Sequence, residues 1–379
     1  MKKRVLWGLL APACLLAALA IIIALPAGAK ATENSGGGSY IGQFHHNSVL
    51  ASTVPSNGDI NPYGVFVVPQ TVGNLTQGNV LISNFNASSN LQGTGTTIMQ
   101  VTPGASVSQF AQINAKQLPG ACPGGVGLTT ALAVLQRGWV IVGSLPTTDG
   151  MSDTARAGCL IVLNSVGQPV ETFSGGVING PWDMTVLDNG STADLFFTNV
   201  LNGTVGANGF VVNKGTVVRM DLGVPQQGNG MPWRVSTTVI GSGFSERTDP
   251  AALVIGPTGV GFNNGTLYVA DSLNNRVAAI PQAATRDDTA HAGKDVTSNG
   301  AINDPLGLII APNGDILTVN GNNGKIVETT PGGTQIANKF LDKSGSPPGA
   351  GALFGLAIIP GNTGVYYVDD ATNTLNVLN

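Results

Sequence analysis

The sequence predicts an all-β protein, a six-bladed β-propeller of four-stranded antiparallel blades whose ring is closed by an N-terminal strand completing the last blade. Three observations predict it: a Gly and Pro density that breaks helices, a strand–turn–strand unit that occurs six times, and complementary strand fragments at the two chain ends. Gly and Pro contribute 53 and 22 of the 379 residues. In a helix interior they cost about 1 and about 3 kcal/mol relative to Ala, so short strands and tight turns are favoured over long helices. With 42% hydrophobic and 10% charged residues, the chain has the apolar content of an ordered protein. Lys and Arg number 17 against 21 acids, a net charge of −4. That balance leaves no basic patch and argues against a nucleic-acid partner.

Taken in chain order, the first element is a leader. Lys2-Lys3-Arg4 precedes an apolar run from Val5 to Leu25 that ends in Pro26-Ala27-Gly28-Ala29-Lys30-Ala31. A basic start, an apolar middle and small residues at the exit describe a secretory signal over 1–31, cut after Ala29 or Ala31. The alternative is an uncleaved anchor, because about 20 apolar residues cross a bilayer. Residues 32–39 then read as a flexible linker and 40–379 as one propeller domain. The expected location is secreted or periplasmic. Removal of 1–31 takes four cations and no acid, leaving 13 basic and 21 acidic side chains, a net charge of −8. Cys14 belongs to the leader. Cys122 and Cys159 remain, and in an oxidising compartment they are expected to form a disulfide; two buried thiols are the alternative.

The repeat is clearest from Asp304-Pro305 through Leu306–Ala311, Pro312-Asn313-Gly314, Asp315–Asn320 and Gly324–Glu328. It reads strand, turn, strand, turn, strand. Related units begin near 62, 128, 181, 250 and 353; the copy near 250 runs from Asp249-Pro250 to Leu253–Ile255 and then Leu267–Asp271. Several spacings exceed the roughly 40–50 residues of a blade, which assigns insertions to Pro146–Gly158, Leu201–Gly215, Gly223–Pro232 and Gln282–Ala301. Val107–Phe110, Val170–Phe173, Val239–Phe244 and Ile336–Phe340 supply fourth strands. The last repeat ends with its third, Thr374–Leu378. Tyr40–Phe44 is the fragment expected to complete that blade and hide its edge.

Asn264-Gly265-Thr266-Leu267-Tyr268-Val269-Ala270-Asp271-Ser272-Leu273-Asn274-Asn275-Arg276-Val277 resembles the core of an NHL repeat, and Asp304–Gly324 is similar. The resemblance implies a six-bladed propeller, a fold that hosts protein- and RNA-binding modules as well as metal-dependent lactonases and lyases. It implies, for the hydrolytic relatives, a divalent cation held in the central channel by Glu, Asp and Asn, with added histidines in the lyases.

The chain departs from both patterns. His45, His46 and His291 are its only histidines, with no metal-ligand spacing on one strand. Glu33, Glu171, Glu246 and Glu328 are its only glutamates, none at the start of an innermost strand. Ser144 and Ser272 have no neighbouring His base. Asn84, Asn199, Asp271, Asn320 and Asp369 all end second strands, a place where a short polar side chain holds the following turn; the alternative is a ring of ligand-binding oxygens. Asp183 and Asp304, at entries to first strands, are the candidate metal ligands of an axial site. A well-marked scaffold with few titratable groups points to an exported monomeric binding module with no cofactor, presenting a protein, glycan or small polar ligand site. A hydrolase or lyase carrying a divalent cation such as Ca²⁺ is the alternative.

Overall fold

Five of the six repeats place Asn or Asp at the end of the second strand. In the computed structural model, which describes residues 38–379, that residue pairs with one in the first few positions of the first strand. Pro62 faces Asn84, Pro181 faces Asn199, Pro257 faces Asp271, Pro305 faces Asn320 and Leu353 faces Asp369. Leu128 and Ser144 form the sixth pair. Past each pair the register slips by one or two residues, so every innermost strand enters through a bulge. A bulge bends its strand and re-aims the side chains around it, here onto the axis of the ring.

Six antiparallel sheets surround that axis. Their innermost strands are Ile60–Val67, Leu128–Val134, Gly180–Asp188, Pro257–Asn263, Pro305–Ile310 and Leu353–Ile358, in blades 1 to 6. Each packs on the next, and the sixth packs on the first. The contact is backbone against backbone. A Cβ on Gly259, Gly307 or Gly355 would run into the carbonyl oxygen of Leu306, Phe354 or Tyr63 in the adjoining blade. A Cβ on Gly64 would lie 2.9 Å from Thr130 O. Between the blades the core is aliphatic and aromatic, with Phe85, Phe196, Phe197 and Phe244 among its largest fully buried side chains.

The ring is closed by an N-terminal strand, but by Asn47–Ser52, which pairs antiparallel with Thr374–Leu378. The expected closing fragment, Tyr40–Phe44, instead holds a single 3₁₀ turn over Ile41–Gln43. Its backbone donors are already taken. Glu328, fully buried on the third strand of blade 5, accepts from Tyr40 N at 2.7 Å and Ile41 N at 2.9 Å, and from the Ser39 hydroxyl. Tyr40, Ile41 and Phe44 then bury among Leu317, Val319, Leu353 and Tyr367, between blades 5 and 6. The true closing strand escaped notice because most of it is exposed and its apolar residues do not alternate, Asn47-Ser48-Val49-Leu50-Ala51-Ser52.

Blade 4 also needs a correction. Leu253–Ile255 is not its first strand but a fifth strand of blade 3, paired with Arg247–Asp249. Blade 4 opens at Pro257, where Pro257-Thr258-Gly259 repeats the pattern of Pro305-Leu306-Gly307. Likewise, Gln282–Ala301 is not wholly an insertion, since Lys294–Ser298 is the fourth strand of blade 4. Cys122 and Cys159 form a disulfide with α-carbons 5.2 Å apart, as expected, tying the approach to blade 2 to its third strand. The leader 1–31 and most of the linker lie outside the described residues.

Two outcomes test this architecture. Gly307→Ala, forced against a carbonyl of blade 6, should cost about 2 kcal/mol in chemical denaturation. Gly332→Ala, exposed and 3.7 Å from its nearest atom, should stay within about 0.5 kcal/mol of the parent. Burial opposes ionisation of Glu328, but the hydrogen bonds from Ser39, Ile41, Tyr40 and Asn313 outweigh it and hold the carboxyl below its ordinary value. Burial and this anion push the neighbouring Asp315 up to about 6. A depressed acid stabilises the fold above its unfolded value and loses that contribution as pH falls through the folded one. Glu328→Gln should therefore cost about 1–2 kcal/mol at neutral pH, net of the relief to Asp315, with the gap closing below about pH 4.

Candidate functional site

The bulge after each blade-opening residue turns the next side chain toward one end of the axis. Five of these, Tyr63, Trp182, Thr258, Leu306 and Phe354, floor a cavity of about 610 Å³, within the range of small-ligand sites. Tyr63 is the centre of that floor. Its ring stacks on Phe354 at 3.8 Å and on Phe85 at 4.5 Å, with Trp182 edge-on at 6.2 Å. Loops build the walls: Asn86, Asn90 and Gln92 from blade 1, Arg247–Ile255 from the blade 3 edge, Asp304 and Asn322 from blade 5, and Asp370 from blade 6.

The wall is rich in acceptors. Asp249 is engaged, paired with Arg247 at 2.7 Å and accepting from Ala251 N and Ala252 N. The carboxyl groups of Asp304 and Asp370 take part in no hydrogen bond among the described residues, although both border the cavity. Burial, with Asp249 adding to it and Arg247 opposing, pushes Asp304 up to about 6. Burial, reinforced by Asp369 and Asp342, pushes Asp370 up to about 7. Asn86 and Gln92 donate their amide N–H to Asn90 and to Pro250 O, but their carbonyl oxygens Oδ1 and Oε1 are buried without a partner. Unsatisfied buried acceptors of this kind are uncommon and call for a donor.

Of the residues singled out in the sequence, Asp304 lies on this wall. Asp183 lies deeper, at the waist of the axis, accepting from Met184 N at 2.8 Å and Val260 N at 3.3 Å. Burial there pushes it up to about 8. The structure does not bring the other five together. Asn84 donates to Thr53 O and Thr97, Asn199 accepts from Asn179 N and Gly180 N, and Asp271 pairs with Arg276 at 2.8 Å. Asn320 donates to Ala301 O and Asn323, and Asp369 accepts from Thr372 N. Each is engaged within its blade or by the chain that enters it, and none borders the cavity. His45, His46 and His291 are exposed. Among the described residues, no three His, Cys, Asp or Glu side chains are grouped to hold a metal ion. Sequence reasoning missed the aromatic floor, although Tyr63, Trp182 and Phe354 all follow a blade-opening residue, and that offset was the available signal.

The sequence matches none of the family models and none of the curated proteins with which it was compared. Solved structures do resemble it. A gluconolactonase from Xanthomonas campestris is 13% identical, with 88% of each chain covered and a TM-score of 0.53. The calcium-binding protein regucalcin from Agrobacterium tumefaciens is 12% identical over 88% of this chain and 93% of its own, with a TM-score of 0.52. A luciferin-regenerating enzyme is 10% identical over 88% and 95%, with a TM-score of 0.51. These likenesses agree with the six-bladed propeller and extend to the fold alone.

The two unpartnered carboxyls give a pH signature. An acid raised in the folded state opposes folding once it must ionise, so the cost is absent below about pH 4 and complete above about pH 7. The double variant Asp304→Asn, Asp370→Asn should melt above the parent at pH 8, and the two curves should converge as pH falls to about 4.

Proposed function

We propose that the chain is an exported, non-catalytic propeller that captures a small polyhydroxylated ligand, a glycan unit, in the upper cavity. One observation carries the reading. An aromatic floor faces a wall whose free groups, the Asp304 and Asp370 carboxyls, are acceptors. A ligand rich in hydroxyl donors and presenting an apolar ring face satisfies both. A panel of neutral and amino mono- and disaccharides tests it by calorimetry. At least one should bind with Kd at or below about 1 mM, and Phe354→Ala and Asp304→Asn should each weaken it at least about tenfold. No binding by any member, or unchanged affinity in both variants, overturns the reading.

The second reading, a hydrolase or lyase, draws on the values of Asp304 and Asp370, near the pH range where carboxyls serve as general acids and bases, and on a fold shared with a gluconolactonase. The oxygen donors suit a hard cation such as Ca²⁺. Their arrangement does not fit one: Asp249 is committed to Arg247 and two backbone N–H groups, which leaves Asp304 and Asp370 on different loops. Stoichiometric calcium after purification, with a melting temperature lowered by chelator, would favour this reading over simple binding.

A further inference from the structure

The opposite end of the axis holds a second cavity, of about 340 Å³, that shares no lining residue with the first. One residue from each innermost strand builds its wall: Val65, Leu132, Met184, Val260, Leu308 and Leu356. Phe262, Ile310 and Ile358 at the far ends of their strands are only half-buried, so the side chains along the cavity are mostly apolar, set between stretches of exposed strand backbone. Among the described residues, Asp183 is the only ionisable side chain that borders it, and no Lys, Arg or His does.

Asp183 is not there to close the ring. At the corresponding place four other innermost strands carry Gly64, Gly259, Gly307 and Gly355, and the bulge forms in each without an acid. A carboxylate can accept at about four lone-pair sites, and the two backbone N–H groups of Met184 and Val260 use two of them. The remainder border a space whose other polar side chains are Thr130 and Thr185, and the Thr130 hydroxyl already donates to Trp182 O. An acid kept in apolar surroundings without a cation is unfavourable, and acids so placed are candidates for function.

We propose that this lower cavity binds a small apolar molecule bearing one primary ammonium group, which Asp183 receives while the hydrocarbon part lies along the aliphatic wall. An anion would meet no cation there, and a neutral hydrocarbon would leave the acid unpaired. A charge-assisted N–H to carboxylate hydrogen bond answers both. Because burial pushes Asp183 up to about 8 and the strands on either side present no other titratable group to the cavity, pairing expels its proton. Affinity therefore rises with pH from about 6 to about 8.

Phenethylamine titrated into the full chain by calorimetry tests this, with 2-phenylethanol as the uncharged counterpart. The amine should bind saturably, at least about tenfold more tightly than the alcohol and more tightly at higher pH. Asp183→Asn, which keeps an acceptor for the two backbone donors, should weaken the amine at least about tenfold. Ile310→Trp, which fills the mouth from a half-buried position, should do the same while Asp183 stays in place. Equal affinity for amine and alcohol, unchanged binding in either variant, or no saturation by about 10 mM amine would overturn the proposal.

Discussion

The close approach of six innermost strands around one axis is the constraint on which the rest of the molecule depends. The blades meet there through backbone, with no room for a Cβ at Gly259, Gly307 or Gly355. Where a side chain is present at the junction it is often a hydroxyl that donates across the gap: Thr129 to Pro181 O at 2.8 Å, Thr258 to Pro305 O at 3.1 Å, Ser83 to Thr129 O at 2.7 Å and Thr198 to Thr258 O at 2.8 Å. These bonds give partners to carbonyls beside the bulges, where the ladder is interrupted. The same narrowing divides the axis into two spaces with unlike side chains, one with an aromatic floor and acidic loops and one walled mainly by aliphatic residues.

A ring of sheets is only as secure as its seam. Here the seam has two layers: the pairing of Asn47–Ser52 with Thr374–Leu378, and an anchoring of the preceding residues onto blade 5. Glu328 holds Ser39, Tyr40 and Ile41 while Lys339 donates to the carbonyls of Gly42 and Phe44. Tyr367, on blade 6, bonds to Asn47 and to Leu341 O. The N-terminal segment therefore joins blades 5 and 6 as well as completing blade 6, which removes the open edge that a sixth blade of three strands would expose.

The periodic parts of this structure were legible in the sequence. Six units follow from recurring Pro, Gly and Asn positions, and the Cys122–Cys159 bridge from the two cysteines that remain once Cys14 is assigned to the leader. Non-periodic parts were not. Asn47–Ser52 is a strand because Thr374–Leu378 needs a partner, a long-range cause that its own polar residues do not announce. Blade 4 was misplaced because Leu253-Val254-Ile255 has the apolar run of a first strand, yet Leu253 takes φ +64 and the chain turns back onto blade 3. Of the upper cavity's acids only Asp304 stood out, since Asp249 and Asp370 come from connections whose convergence is set by the ring and not by local pattern.

The relation between fold and chemistry follows from where each polar residue sits. Asn84, Asn199, Asp271, Asn320 and Asp369 recur in five blades at the same place, where their hydrogen bonds hold the chain entering the blade (Thr53 O, Asn179 N, Ala301 O) or the turn that follows (Thr372 N, Arg276). Positions that do not recur, such as Asp183 among the glycines and Asp370 on a single loop, are free of that duty. Burying an unpaired acid opposes folding, and symmetry gives no reason for it at one blade in six. The departures from the repeat are therefore where the ring holds chemistry that its architecture does not require: acceptors around an aromatic floor at one end, and one carboxyl facing an aliphatic space at the other.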